Sequence, residues 1–273
     1  LKTLFEKTIY AVATDQLRSN ITGVFLQSSE KAIVAVGTDG KRIALVEFPS
    51  SDTWLSLSPM SVIVPRKACS QILQSFADAT EPIKIDLQET TIIFSSGGLT
   101  LESRLFDGEY PDYKQVTDPA LGNDKVVATV IKDELIDALK RMRTIADKQR
   151  PIVKLAFSKE EQLEQRLPRV TISTRNEYIG VAQEVVKCAV NEDLEIGFNA
   201  SYLLDALGQI ETDLVRFKFS DHSQPALILP EGAGDETAYT YYSVLMPLDM
   251  AKLGKSEEDN QNGKEKADDK TVS

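Results

Sequence analysis

His222 is the sole histidine of the chain, set between Asp221 and Ser223, and the cysteines are Cys69 and Cys188. From such residue types nucleophilic, acid–base or metal chemistry is built. A Ser–His–Asp relay needs hydroxyl, imidazole and carboxylate delivered from separate segments so that they line up. Here the three are consecutive in a polar, loop-like stretch, which reads as a surface histidine. Cys69 lies on the apolar stripe of a helical pattern and Cys188 in the strand-like run Glu184–Val190. Both read as buried thiols in a reducing cytoplasm, and two cysteines are too few for a disulfide framework. No G-x-S-x-G turn, phosphate loop or metal-ligand spacing is present. The expectation is a protein that is not an enzyme, with no catalytic residue, no metal and no cofactor.

Three other strings carry more information: Thr38-Asp39-Gly40-Lys41-Arg42-Ile43-Ala44, Leu105-Phe106-Asp107-Gly108-Glu109-Tyr110-Pro111-Asp112-Tyr113 and Val244-Leu245-Met246-Pro247-Leu248. None contains a nucleophile, a metal cage or a phosphate loop. Read plainly, Asp39 is a turn former, Tyr110 to Tyr113 a turn closing a strand, and Met246 and Leu248 core positions of a terminal strand. The chain of 273 residues, 42% hydrophobic, suffices for one large or two medium domains with real cores. Its formal net charge of -11 argues against gripping nucleic acid by bulk charge. No apolar run is long enough to span a membrane, and no leader pattern opens the chain. Leu1 is not an initiator methionine, so a fragment is expected, with a natural short form as the alternative.

The elements that position these strings come in two similar sets. Leu1, Leu4, Phe5, Thr8, Ile9 and Val12 fall on one side of a helical wheel over 1–15. Leu135, Ile136, Leu139, Met142 and Ala146 repeat the pattern over 132–147. Alternating, strand-like runs follow each, Gly23 to Phe48 and Ile152 to Val186. A second helix then carries Cys69, Ile72, Leu73 and Phe76, or Leu203, Leu204, Leu207 and Ile210, with Asn199 as N-cap of the later one. More strands close each set: 83–87, 91–95 and 99–105, then 214–219, 226–229 and 239–245. An offset of roughly 132 residues means a duplicated domain and not a solenoid unit. The expected domains are 1–118 and 119–250, joined by a linker around Thr117 to Asp124. A polar tail over 251–273 is expected to be disordered. It holds five Lys and six acidic residues, so the acidity belongs to the folded body.

Asp107-Gly108-Glu109-Tyr110-Pro111-Asp112-Tyr113, Ile196-Gly197-Phe198-Asn199-Ala200-Ser201-Tyr202 and the terminal Val244 to Pro247, in that order, resemble the bacterial DNA polymerase III beta subunit. The resemblance runs from about Leu1 to Met250 and covers the second and third of that family's three domains. It implies an α+β DNA-clamp fold: tandem domains, each with antiparallel sheets and two amphipathic helices lining the channel face. In the family six such domains close a ring around duplex DNA, and three two-domain protomers would supply six. The resemblance takes in no counterpart of the first domain, so Thr144 and Ile145, which resemble a contact edge of the third domain, are expected to lack their partner.

The resemblance also implies a site. Thr38, Gly40, Arg42 and Ile43 match the second-domain wall of a peptide pocket, and Pro111, Gln115 and Val116 the segment leading to the linker. Tyr202, Val244, Met246, Pro247, Leu248 and Met250 match the third-domain side. A linear peptide needs apolar anchors in a preformed cleft, methionine adapts to varied side chains, and Arg42 is expected to pin a peptide carbonyl or carboxylate. Asp249 stands where the family usually has a basic residue, and the acidic tail beyond it is expected to compete with partners or repel acidic ones. The implied partners are the DNA polymerase III catalytic subunit, the clamp loader and other proteins with glutamine-led motifs carrying Leu and Phe anchors. Duplex DNA would be met without sequence specificity by Lys2, Lys7, Arg18, Arg66, Lys67, Lys140, Arg141 and Arg143. The function implied is a processivity clamp that self-associates into a ring. The alternative is a truncated clamp that binds peptides without encircling DNA.

Overall fold

Period-two alternation becomes strand wherever one face has a core to bury into, and here most strands do. The computed structural model describes residues 1–15, 19–49, 59–159, 167–232 and 238–248. Arg18, Asp249, Met250 and the 251–273 tail lie outside them. The first set runs α1 (Lys2–Glu6), β1 (Gly23–Ser28), β2 (Ala32–Thr38), β3 (Arg42–Pro49), β4 (Met60–Pro65), α2 (Arg66–Ser75), β5 (Lys84–Leu87), β6 (Thr91–Ser96) and β7 (Leu99–Arg104). A connecting helix, α3 (Lys114–Leu121), and a strand, β8 (Val126–Ile131), come next. The second set is α4 (Lys132–Ile145), β9 (Ile152–Ser158), β10 (Arg169–Asn176), β11 (Gly180–Val190), β12 (Leu194–Asn199), α5 (Ala200–Leu207), β13 (Leu214–Phe219), β14 (Ala226–Glu231) and β15 (Thr240–Leu245).

All the ladders are antiparallel. Twelve strands form one continuous sheet in the order β12-β9-β10-β11-β8-β13-β14-β15-β3-β2-β1-β4, and β5-β6-β7 form a second. The two sets are stitched by β15 on β3, with Val244 opposite Ile43 and Leu245 opposite Arg42. The α+β clamp architecture expected above is therefore the one observed. Alternation sorts the seam into two cores. Ala35, Val46, Tyr241 and Leu245 join the large core, which also takes the buried sides of α1, α2, α4 and α5. Val36, Ile43, Leu45, Tyr242 and Val244 form a smaller core on the other face. No described helix is long and apolar enough to cross a membrane.

Three elements depart from the sequence pattern. The linker expected around Thr117 to Asp124 is helical as far as Leu121: α3 lays Val116 and Ala120 on the smaller core, so packing overrides its turn-forming composition. The helix expected over 1–15 stops at Glu6 and continues as a 3₁₀ turn, Ile9–Ala11. Its chain must then run back over β2, where Ala13 donates its N–H to Thr38 at 3.1 Å. Gly37 permits that approach, since a Cβ there would lie 2.2 Å from the Thr8 carbonyl oxygen. Strand β8 was not apparent in the sequence, and it joins β11 to β13.

Candidate peptide site at the domain seam

The β2–β3 hairpin builds one wall. Gly40 takes φ 82, and the Asp39 carboxylate accepts the Lys41 N–H at 2.9 Å and the Arg42 N–H at 3.1 Å. Thr38 Oγ donates to the Arg42 carbonyl at 2.7 Å, locking the turn. The ladder continues past the end of β15, because the Met246 N–H reaches the Lys41 carbonyl at 2.9 Å. The N–H of Leu248 then reaches the Gly197 carbonyl at 2.8 Å. The third string is thus pinned between the hairpin of one set and β12 of the other.

Ile43 and Val244 face each other across the seam and share the smaller core, with Val116 packed against it. Met246 stays 44% exposed at its border, and Pro247 and Leu248 are half-buried. Tyr110 stacks on Phe25 with centroids 4.7 Å apart and donates its hydroxyl to the Val36 carbonyl at 3.2 Å. That anchors the second string along the same face. Pro111 and Gln115 are exposed, the Gln115 amide bonding Asp112 at 3.2 Å. Tyr202 enters from α5, whose first turn is capped by Asn199 Oδ1 accepting from the Ser201 and Tyr202 N–H groups at 2.9 and 3.3 Å.

Arg42 departs from expectation. Its side chain is 9% exposed and already committed. Nε donates to Asp39 at 3.0 Å, Nη1 to Asp205 at 2.7 Å and Nη2 to the Tyr10 carbonyl at 2.8 Å. The guanidinium also lies 4.2 Å from the Tyr202 ring centroid. It joins the hairpin of the first set to α5 of the second and is not free to seek a peptide. Asp205 and Tyr10 were not expected at this site from sequence. Asp205 falls three residues after Tyr202, on the same side of α5, and that spacing was the available signal. Behind Arg42 the Tyr10 and Tyr241 hydroxyls lie 3.0 Å apart, and burial pushes both above the ordinary phenol value.

Among the cations expected to face DNA, Lys7 is the correction. It is 6% exposed, bonds the Gln209 carbonyl at 2.5 Å and pairs with Glu211 at 2.8 Å. Lys2, Lys67, Lys140 and Arg143 are exposed, and Arg66 is half-buried. Arg141 is drawn down onto Glu184 of β11, and Lys140 lies 3.7 Å from Asp137. His222 is exposed beside Asp221, whose carboxylate bonds Ser223, so no relay is aligned.

Tandem α+β sets joined through one continuous sheet, with α1, α2, α4 and α5 on one face and α3 on the other, define a clamp-type protein. Residues 1–112 match the DNA polymerase III beta subunit central domain and residues 122–247 its C-terminal domain. The chain belongs to that family. It is 32% identical over 250 residues to the beta sliding clamp of Caulobacter vibrioides, spanning 90% of this chain and 62% of that protein. To the beta sliding clamp of Pseudomonas aeruginosa it is 32% identical over 253 residues, 91% and 63% of the two chains. A crystal structure of the P. aeruginosa subunit superposes with TM-score 0.80 at 29% identity, over 91% and 64%. The DnaN sliding clamp of Bartonella birtlesii, solved bound to griselimycin, does so with TM-score 0.79 at 30% identity, over 91% and 63%. The chain therefore spans less than two thirds of the length of these relatives.

Proposed function

We propose that this chain serves as a DNA sliding clamp, a non-catalytic processivity factor. It holds short peptide motifs of the DNA polymerase III catalytic subunit, the clamp loader and other replication and repair proteins, in the cytoplasm at the nucleoid. Tethering raises a partner's effective concentration at the primer end without tight DNA binding. The observation that carries this reading is the seam. Ile43 and Val244 are cross-strand neighbours in one apolar cluster with Val116, and the adaptable Met246 stands half-exposed at its edge. An apolar seam with a flexible thioether at its edge suits a peptide anchored by Leu and Phe. The test is fluorescence anisotropy with a labelled glutamine-led peptide carrying those anchors. Met246→Ala is expected to weaken binding about tenfold, or about 1.4 kcal/mol. Unchanged affinity would overturn the pocket assignment.

The formal net charge of -11 favours a second reading, a peptide-binding module that does not encircle DNA. Retention on nicked circular DNA separates the two. Retention lost on linearisation supports encirclement, whereas peptide binding without retention supports the module.

A further inference from the structure

α3 crosses the outer sheet face from β1 toward β13. The Tyr113 ring at its start lies 6.2 Å from that of Phe25, and the Leu121 carbonyl at its end accepts from Lys218 at 3.5 Å. Along one flank of α3 runs a cavity of about 470 Å³, a volume within the range of ligand sites. It shares no residue with the proposed peptide site. Its floor is Val34, Leu45 and the Tyr242 ring, and Leu45 and Tyr242 lie two residues beyond Ile43 and Val244 on the same sheet face.

Tyr113 is only 9% exposed, yet its hydroxyl has no hydrogen-bond partner among the described residues. A buried phenol in that state is costly unless something else meets it. The atom is not sealed in the core, so it opens into the cavity that Tyr113 lines. Burial raises the Tyr113 and Tyr242 hydroxyls above the ordinary phenol value, and the Glu47 and Asp118 carboxylates raise both further. Both acids therefore stand at the phenol end, Glu47 on β3 and Asp118 on α3. Glu47 has no ion-pair partner among the described residues, and Thr117 Oγ donates to Asp118 at 3.4 Å.

The other end is basic. Lys31 comes from the turn between β1 and β2 and Lys114 from the first turn of α3; both are exposed, and neither is ion-paired among the described residues. β1 and β3 are two strand spacings apart in the sheet, so about 10 Å separates the two ends.

We propose that this cavity takes an extended segment of a partner protein that carries an arginine and, two residues away, an acidic residue. The planar guanidinium lies against the Tyr113 and Tyr242 rings, where it has donors enough for Glu47, Asp118 and the Tyr113 hydroxyl oxygen. The acidic side chain reaches Lys31 and Lys114. Residues two apart in an extended chain share a face about 7 Å apart, and the arginine stem spans the remainder. The contact is separate from peptide capture at the seam, so either can fail without the other.

Isothermal titration of the full chain with the capped peptide Gly-Arg-Gly-Glu-Gly tests it. Citrulline in place of the arginine is expected to weaken binding about tenfold, and glutamine in place of the glutamate about threefold. Glu47→Gln with Asp118→Asn is expected to erase the preference for arginine and keep that for glutamate. Lys31→Gln with Lys114→Gln is expected to do the reverse. Tyr113→Phe keeps the ring in the core and is expected to weaken the parent peptide about fivefold. The four charged positions are exposed, so the fold tolerates their change, which circular dichroism checks. No binding of the parent peptide, equal binding of its citrulline form, or preferences that survive removal of the matching charges would each overturn the proposal. So would ethylguanidinium binding as tightly as the peptide.

Discussion

Arg42 is a side chain whose partners its neighbours in sequence do not reveal. Its planar fork matches two carboxylates and a carbonyl at once, which lysine's single ammonium cannot do. Arg42→Lys is expected to cost about 2 kcal/mol, below the usual range for breaking a buried pair because Asp205 is 46% exposed and partly screened. Urea denaturation checks this: the midpoint should fall with the slope unchanged. Lys7 makes the complementary case. Its ammonium points into the seam beneath Tyr239 and Tyr241, and it holds the Glu211 carboxyl below its usual value. Lys7→Met is expected to lower stability by about 1–2 kcal/mol, mainly through the unsatisfied Gln209 carbonyl. The same substitution should leave the salt dependence of DNA association unaltered, because this charge does not reach solvent. A changed slope would return Lys7 to the DNA-facing set.

At the scale of elements, α2, the 3₁₀ turn after α1 and the seam strand β15 carry buried acids whose neutral forms the fold protects. Burial pushes the Cys69 thiol up to about 12 and the Tyr242 hydroxyl up to about 12, and raises Tyr10 and Tyr241 as well. Above the unfolded values of 9.0 for the thiol and 10.0 for the phenol, the unfolded chain has released these protons and the native chain has not. Stability then falls with rising pH, by about 1.4 kcal/mol per pH unit for each such group. Thermal melts are expected to hold steady up to about pH 9 and drop steeply between about 10 and 12; a flat profile there would mean the seam tyrosines are not buried. How legible these elements were in the sequence depended on what stabilises them. α4 has a continuous 3.6-residue stripe, Leu135, Ala138, Leu139 and Met142, and α5 a side-chain cap, so both are readable locally. α3 has neither, with Pro119 inside it and a stripe of two residues, and it exists because the outer sheet face needs covering. β8 follows no repeat partner, since α1 at Leu1 already aligns with α4, so comparing the two sets could not reveal it. The walls of the proposed peptide site were readable as motifs, whereas the Arg42–Asp205–Tyr10 contacts join residues up to 163 apart in sequence.

At the scale of the whole molecule, net charge and local charge pull in opposite directions. A body with formal net charge -11 repels duplex DNA at long range. The helices nonetheless present Lys2, Lys67, Lys140 and Arg143 to solvent, interspersed with exposed Asp133, Asp137 and Asp205. Among the described residues, phosphate contact through those four cations releases few counterions, so log K against log salt is expected to have a slope of about -4. Arg141 adds nothing to this count while Glu184 holds it. Lys67→Glu with Lys140→Glu removes two of the four and is expected to flatten the slope by about 2, equally for duplexes of any sequence, because phosphate contacts carry no base information. Anisotropy of a labelled linear duplex across a salt series checks this on the full chain. The argument fails if binding persists at high salt or if the double variant loses affinity for some sequences and not others. Either result would mean that direct grip on DNA holds this protein there, and a seam built to capture peptides would no longer account for its surface.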